Sequence, residues 1–190
     1  MRITGGKARG ILLQVPERGE VRPATDAIRE KIFSRIGENI QGCTILDGFA
    51  GTGAYGLEAL SRGASFCLFL EKDAQVLPRL KKNISNVCKS ACLESQRVCR
   101  CIQTDAFSFT GEKGLSFDYI FLDPPYRYWE EKFDTLFNWL DALKKIYLQA
   151  TLVLEYPSQL IWPSNSLWQP VRSVEYSSKR KNAPEINLFR

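Results

Sequence analysis

The chain has 190 residues, 44% hydrophobic and 12% aromatic, enough to bury one sizeable core within the usual size of a single domain carrying a small appendage. It contains no histidine, which excludes serine and cysteine hydrolases that use an imidazole base. Its six cysteines form no paired C-x-x-C set, so no metal site is expected and buried reduced thiols are. The net charge of +5 is mild, but basic residues gather at the ends: eight against four acidic between Arg2 and Arg35, and the run Lys179-Arg180-Lys181.

In chain order, residues 2–15 contain a Gly5-Gly6 turn and a strand-like Ile11 to Val15, followed by a helix from about Thr25 to Ile36 with Ala27, Ile28, Ile32 and Phe33 towards a core. From Cys43 onward, apolar runs alternate with helix-length amphipathic segments, the pattern of a parallel sheet covered by helices. The runs are Thr44 to Leu46, Phe66 to Leu70, Val98 to Ile102, Tyr119 to Leu122 and Thr151 to Leu154. Helices are expected over Ala54 to Arg62, Asp73 to Val87 with Asp73 as N-cap, and Glu130 to Lys145, where Phe133, Leu136, Phe137 and Leu140 share one face. Pro78 either kinks the second of these or marks its true start. After Glu155 the alternation stops, and antiparallel strands are expected around Val171 to Tyr176 and Ile186 to Phe189. The N-terminus lacks a signal-peptide apolar stretch and no run is long enough to span a bilayer, so a cytosolic protein is expected.

Gly51-Thr52-Gly53-Ala54-Tyr55-Gly56 fits G-x-G-x-x-G directly after a strand and opening a helix, where glycines let backbone approach a nucleoside cofactor closely. Glu71 lies twenty positions beyond Gly51 at the end of the next run, placed to accept from ribose hydroxyls. A nicotinamide dinucleotide and S-adenosylmethionine compete for such a loop. Asp47, just before the glycines, suits a free amino group and would lie poorly near a pyrophosphate, which favours S-adenosylmethionine. Asp105-Ala106 follows the third run, where a carboxylate would accept from the adenine amine; the alternative for Asp105 is an ordinary turn or N-cap role.

Asp123-Pro124-Pro125-Tyr126 closes the fourth run. Methylating an aromatic amine requires recovering a lone pair delocalised into the ring. Acceptors on the two N–H bonds, the Asp123 carboxylate and the Pro124 carbonyl, would draw the nitrogen towards tetrahedral geometry. The two prolines stiffen that turn, and Tyr126 offers a face for a flipped-out base. No proline precedes a cysteine, so methylation of a cytosine ring carbon is set aside and the target is an exocyclic amine.

With these motifs in place, the chain resembles the class I S-adenosylmethionine-dependent methyltransferases, and more narrowly the bacterial small-subunit ribosomal RNA guanine-N2 methyltransferases of RsmD type. The likeness rests on residues 2–10, on Arg22-Pro23-Ala24-Thr25-Asp26 with Arg29-Glu30 and Phe33, on residues 46–64, and on Asp123 to Tyr126. It implies a Rossmann-like sheet of seven strands, mostly parallel with an antiparallel C-terminal hairpin, and a small N-terminal β-hairpin extension. The expected division is an RNA-contacting extension over residues 1–40 and a catalytic domain over 41–190. It further implies transfer of one methyl group from S-adenosylmethionine to the N2 amine of one guanine in 16S ribosomal RNA, within an assembled or assembling small subunit; nothing in the sequence suggests an oligomer interface, so a monomer without metal is expected. By match of motif, Asp47, Phe49, Ala50, Gly51, Gly53, Glu71, Lys72, Asp105 and Ala106 become cofactor contacts and Asp123, Pro124, Pro125 and Tyr126 the catalytic loop. Arg2, Lys7, Arg9, Arg22, Thr25 and Arg29 become RNA contacts gripping phosphates. For Arg22 a structural hydrogen-bonding role stands equally. A DNA adenine-N6 or cytosine-N4 methyltransferase shares the tetrapeptide logic, although 190 residues leave little room for a target-recognition domain.

Overall fold

The computed structural model describes residues 1–15, 26–174 and 184–190. The apolar runs become strands β1 (Thr44–Asp47), β2 (Phe66–Glu71), β3 (Cys99–Gln103), β4 (Tyr119–Leu122) and β5 (Thr151–Pro157), joined by β6 (Pro170–Ser173) and β7 (Pro184–Phe189). They form one sheet in the order β3-β2-β1-β4-β5-β7-β6. β1 to β5 run parallel, β7 runs antiparallel to β5 and β6 antiparallel to β7, so the sheet is the seven-stranded, mostly parallel one that the resemblance implied.

Parallel strands covered on both faces must be apolar on both faces, which is why these segments read as continuous runs. Successive side chains feed two cores. Ile45, Cys67, Phe69, Phe121 and Val153 pack in one cluster with Ile32, Phe33, Leu57 and Leu80. Leu46, Leu68, Leu70, Ile120 and Leu152 pack in the other with Leu136, Leu140 and Trp168. The first face is covered by helices α1 (Asp26–Ile36), α2 (Ala54–Ser61) and α3 (Leu77–Ser90); α4 (Ser95–Val98) leads into β3, and α5 (Arg127–Glu131) and α6 (Phe133–Ile146) follow β4.

Four details depart from expectation. Pro78 lies in the first turn of α3, so it marks the true start; Asp73 instead nucleates the preceding turn, accepting from Gln75 N–H at 2.7 Å. The helix expected over Glu130 to Lys145 is two helices, because Lys132 at φ −134° breaks the ladder. On α1 the face turned to the core carries Ile28, Arg29, Ile32, Phe33 and Ile36, and Ala27 is exposed. The cysteines are all free, but Cys67 and Cys88 alone are buried and Cys92 is exposed.

The N-terminal segment folds as a hairpin closed by one antiparallel bridge, Arg2 to Leu12, with Ile3 N–H donating to the Ile11 carbonyl at 2.9 Å. Ile3, Ala8 and Leu13 are buried in the first core cluster. Gly6 turns at φ 75°, and a Cβ there would stand 1.9 Å from the Ser61 carbonyl oxygen, so a side chain is excluded at this crossing of hairpin and helix.

Candidate active site

The four candidate carboxylates stand at the carboxyl ends of neighbouring parallel strands: Asp47 ends β1, Glu71 ends β2, Asp105 follows β3 and Asp123 follows β4. β1 pairs with β2 on one side and β4 on the other, so the chain's winding reverses there. That crevice is where open α/β sheets hold ligands.

The glycine loop bridges β1 and α2. Gly51 and Gly53 adopt φ 51° and 79°, and a Cβ on Gly53 would meet Leu80 Cδ1 at 2.6 Å, so backbone alone fits the loop's inner side. The loop hangs on acidic side chains. Gly51 N–H donates to Glu71 Oε2 at 2.8 Å, and Gly56 N–H donates to Asp47 Oδ2 at 2.9 Å. Ala50 is buried, its N–H given to the Leu70 carbonyl. Glu71 Oε1 also accepts from Asp73 N–H at 2.7 Å, yet a carboxylate has about four lone-pair sites, so both oxygens retain capacity for hydroxyls. Asp47 is 2% exposed, and burial first, then the Glu71 charge, push its carboxyl up to about 7 against the hydrogen bond from Gly56. Through Oδ2 it braces the loop and α2.

Asp105 uses Oδ1 to cap a short 3-10 turn over Ala106–Ser108, accepting from Phe107 N–H at 3.1 Å, while Oδ2 lies 3.9 Å from Lys72 Nζ. Both readings of Asp105 are compatible with that geometry, Oδ1 serving the turn while Oδ2 meets only Lys72 among the described residues; Ala106 is buried. Lys72 hydrogen-bonds to the Tyr128 hydroxyl, which raises its ammonium above the ordinary lysine range, and lies over that ring at 5.0 Å. Phe49 packs edge-on against Phe107, Tyr128 and Trp139 at 5.9 to 6.2 Å, forming an apolar wall beside the carboxylates.

In the tetrapeptide, Pro124 is buried, Asp123 and Pro125 are half-buried, and Tyr126 is 50% exposed. The Pro125 and Tyr126 carbonyls accept from Tyr128 and Trp129 N–H at 2.8 and 3.1 Å, so the loop passes directly into α5. The Asp123 carboxyl is pushed well above its usual range by burial, then by the charges of Glu155 and Asp47. Two residues that the sequence reading missed thus join the site. Glu155, near the end of β5, is buried and pushed up to about 7 by desolvation, and Tyr55 Oη donates to its Oε2 at 3.4 Å. The available signal was positional: Glu155 ends the fifth apolar run as Asp123 ends the fourth.

The basic residues separate into two groups. Lys7 and Arg9 are exposed on the hairpin, and Arg2 is 65% exposed with Asp26 at 3.7 Å. Arg29 is fully buried: it donates to the Arg2 carbonyl and to Asp26 Oδ1 at 2.8 Å, with Glu58 Oε2 at 4.0 Å, so it cannot grip a phosphate and instead joins hairpin, α1 and α2. Arg22, Thr25 and the Lys179 to Lys181 cluster lie outside the described residues.

A family model described as "Conserved hypothetical protein 95" matches residues 1–183. Ribosomal RNA small subunit methyltransferase D of Escherichia coli strain K12 is 39% identical over 127 residues, 67% of this chain; the chain spans only 61% of that relative's length. Putative rRNA methyltransferase YlbH of Bacillus subtilis is 33% identical over 165 residues, 86% of each chain. Among solved structures, a putative methyltransferase, yhhF from Escherichia coli, superposes with a TM-score of 0.75 at 30% identity, covering 100% of this chain and 96% of that one. The sheet is thus the Rossmann-like class I methyltransferase fold, and the chain belongs to the "Conserved hypothetical protein 95" family, with the small-subunit RNA methyltransferases D among its relatives.

Proposed function

We propose that the chain transfers a methyl group from S-adenosylmethionine to the exocyclic N2 amine of a guanine in 16S ribosomal RNA. The observation that carries this reading is Asp123, in a proline-stiffened loop, beside three carboxylates on the ends of β1 to β3 at the switch point of the sheet. Relatives named as small-subunit RNA methyltransferases supply the substrate class, and guanine N2 rests on the likeness of the N-terminal segments. The residues fit the donor: bare backbone at Gly51 and Gly53, hydroxyl acceptors on Glu71, an adenine-amine acceptor at Asp105 beside Ala106, and the aromatic wall of Phe49 with Lys72. When bound, that group supplies an electrophilic methyl on a sulfonium.

The chain's own residues do the rest. Asp123 accepts one N–H of the substrate amine and the Pro124 carbonyl the other, which localises the nitrogen lone pair and aims it. Tyr126, half exposed at the rim, stacks on the flipped base. Exposed Arg2, Lys7 and Arg9 hold phosphates of the RNA. A cytosolic monomer acting on the assembled or assembling subunit completes the proposal; no helix among the described residues is long and apolar enough to cross a membrane. Calorimetry against S-adenosylmethionine and NAD tests the donor: binding of NAD instead would sink the reading. Incubating the wild type and Asp123→Ala with labelled donor and undermethylated small subunits tests the transfer, the variant being expected to bind donor and give no product. Label in DNA rather than RNA would favour an adenine-N6 or cytosine-N4 enzyme.

A further inference from the structure

Glu155 is a buried carboxyl that the reaction as described does not use. Its place follows from register. β4 and β5 pair Phe121 with Val153 and Leu122 with Leu154, so one step further Asp123 and Glu155 stand side by side. Phe121 and Val153 face the first core cluster, and Asp123 and Glu155, two residues on, fall on that same face, as does Asp47, two residues after Ile45. Tyr55 of α2 covers them: its ring stacks on Phe121 at 5.5 Å and its hydroxyl reaches Glu155 at 3.4 Å. Among the described residues no lysine or arginine forms an ion pair with Asp47, Asp123 or Glu155. Among the described residues, the groups facing the pair are Asp47 from β1, Tyr55 from α2 and, acting on Tyr55, Arg29 from α1, with Ile186 of β7 opposite Glu155.

Two neighbouring carboxyls, Glu155 buried and Asp123 half-buried, with no ion-paired cation among the described residues, resist ionising together, which favours one proton held by the pair. We propose that Glu155, fixed by Tyr55, is a positioning residue for Asp123: the two carboxyls share one proton, which keeps one Asp123 oxygen as acceptor for the substrate amine and leaves the pair able to take the proton that the amine sheds. This rests on the methyl-transfer reading for its substrate, but the proton sharing itself belongs to the resting protein. For each methyl that arrives, one proton leaves the nitrogen, the N–H electron pair stays there, and the pair's charge passes from −1 to 0. The proton then reaches solvent at the half-buried Asp123 side.

The titration of Asp123 and Glu155 in the full chain, followed by carboxyl carbon NMR from pH 4 to 9, tests this directly. In the wild type the two are expected to titrate in two coupled steps. In Glu155→Gln, a neutral isostere, Asp123 should ionise in a single step lower by about one pH unit or more. Tyr55→Phe, which removes a donor without changing charge, should raise the pH at which Glu155 ionises. An Asp123 titration unmoved by Glu155→Gln overturns the proposal, as does a single independent step for each group in the wild type. The acid limb of turnover should move with the Asp123 titration in Glu155→Gln at unchanged donor affinity; a shifted titration with a stationary limb overturns the catalytic part. If the titrations shift as stated and no form of the protein methylates RNA, the substrate reading fails while the proton sharing stands.

Discussion

Glu58→Gln should detach the N-terminal hairpin from α2. Glu58, fully buried on α2, accepts at 2.8 Å from Thr4 Oγ1, Gly5 N–H and Arg62 Nε on one oxygen, and from Thr4 N–H at 2.8 Å on the other; Arg29 Nε lies 4.0 Å away. A glutamine keeps one acceptor oxygen and presents an NH2 where Thr4 N–H needs an acceptor, leaving two donors facing each other. It also removes the anion beside Arg29, which is fully buried and retains Asp26. Breaking a buried pair by removing one partner costs about 3 to 5 kcal/mol, a large share of the roughly 5 to 15 kcal/mol available to a domain. Urea unfolding of both proteins should give that difference at unchanged m, and hydrogen exchange should show early loss of protection at Thr4 and Gly5. A loss below about 1 kcal/mol would mean that Glu58 does not anchor the hairpin, because such a value belongs to a solvated surface pair.

Gly53→Ala forces a left-handed φ of 79° on a residue with a Cβ and drives it against Leu80 Cδ1 at 2.6 Å; donor affinity by calorimetry should fall at least about tenfold, near 1.4 kcal/mol. Lys7→Ala and Arg9→Ala, both exposed, should each lower the slope of log K against log salt for RNA by roughly 0.7 to 0.9 while leaving donor affinity intact. Glu155 is raised from 4.5 to about 7, so its folded form favours the proton: that stabilisation is full below about pH 4.5 and lost as pH climbs through 7. Glu155→Gln should therefore flatten the fall in the ligand-free protein's stability between about pH 4.5 and 8, measured by urea unfolding at each pH.

The parallel strands were legible in the sequence because burial on both faces writes them as unbroken apolar runs, and the carboxylates at their ends could be found by counting from the glycine loop. Arg29 could not: a basic residue in a basic segment looks solvated until tertiary folding sets it between Asp26 and Glu58. Nor could the bracing role of Asp47, which depends on α2 returning its Gly56 N–H to the strand end. Glu155 and Tyr55 lie 100 residues apart, and only the β4 and β5 register with the stacking of α2 brings them beside Asp123. The break at Lys132 hid within a continuous amphipathic pattern, since the apolar residues on either side keep a helical spacing.

Guanine-N2 methylation of the small-subunit RNA is decided by nucleoside mass spectrometry of 16S ribosomal RNA from a strain lacking this protein. One N2-methylguanosine should be lost, and be restored by the wild type and not by Asp123→Ala. An unchanged N2-methylguanosine content, or restoration by Asp123→Ala, would contradict guanine-N2 methylation through Asp123.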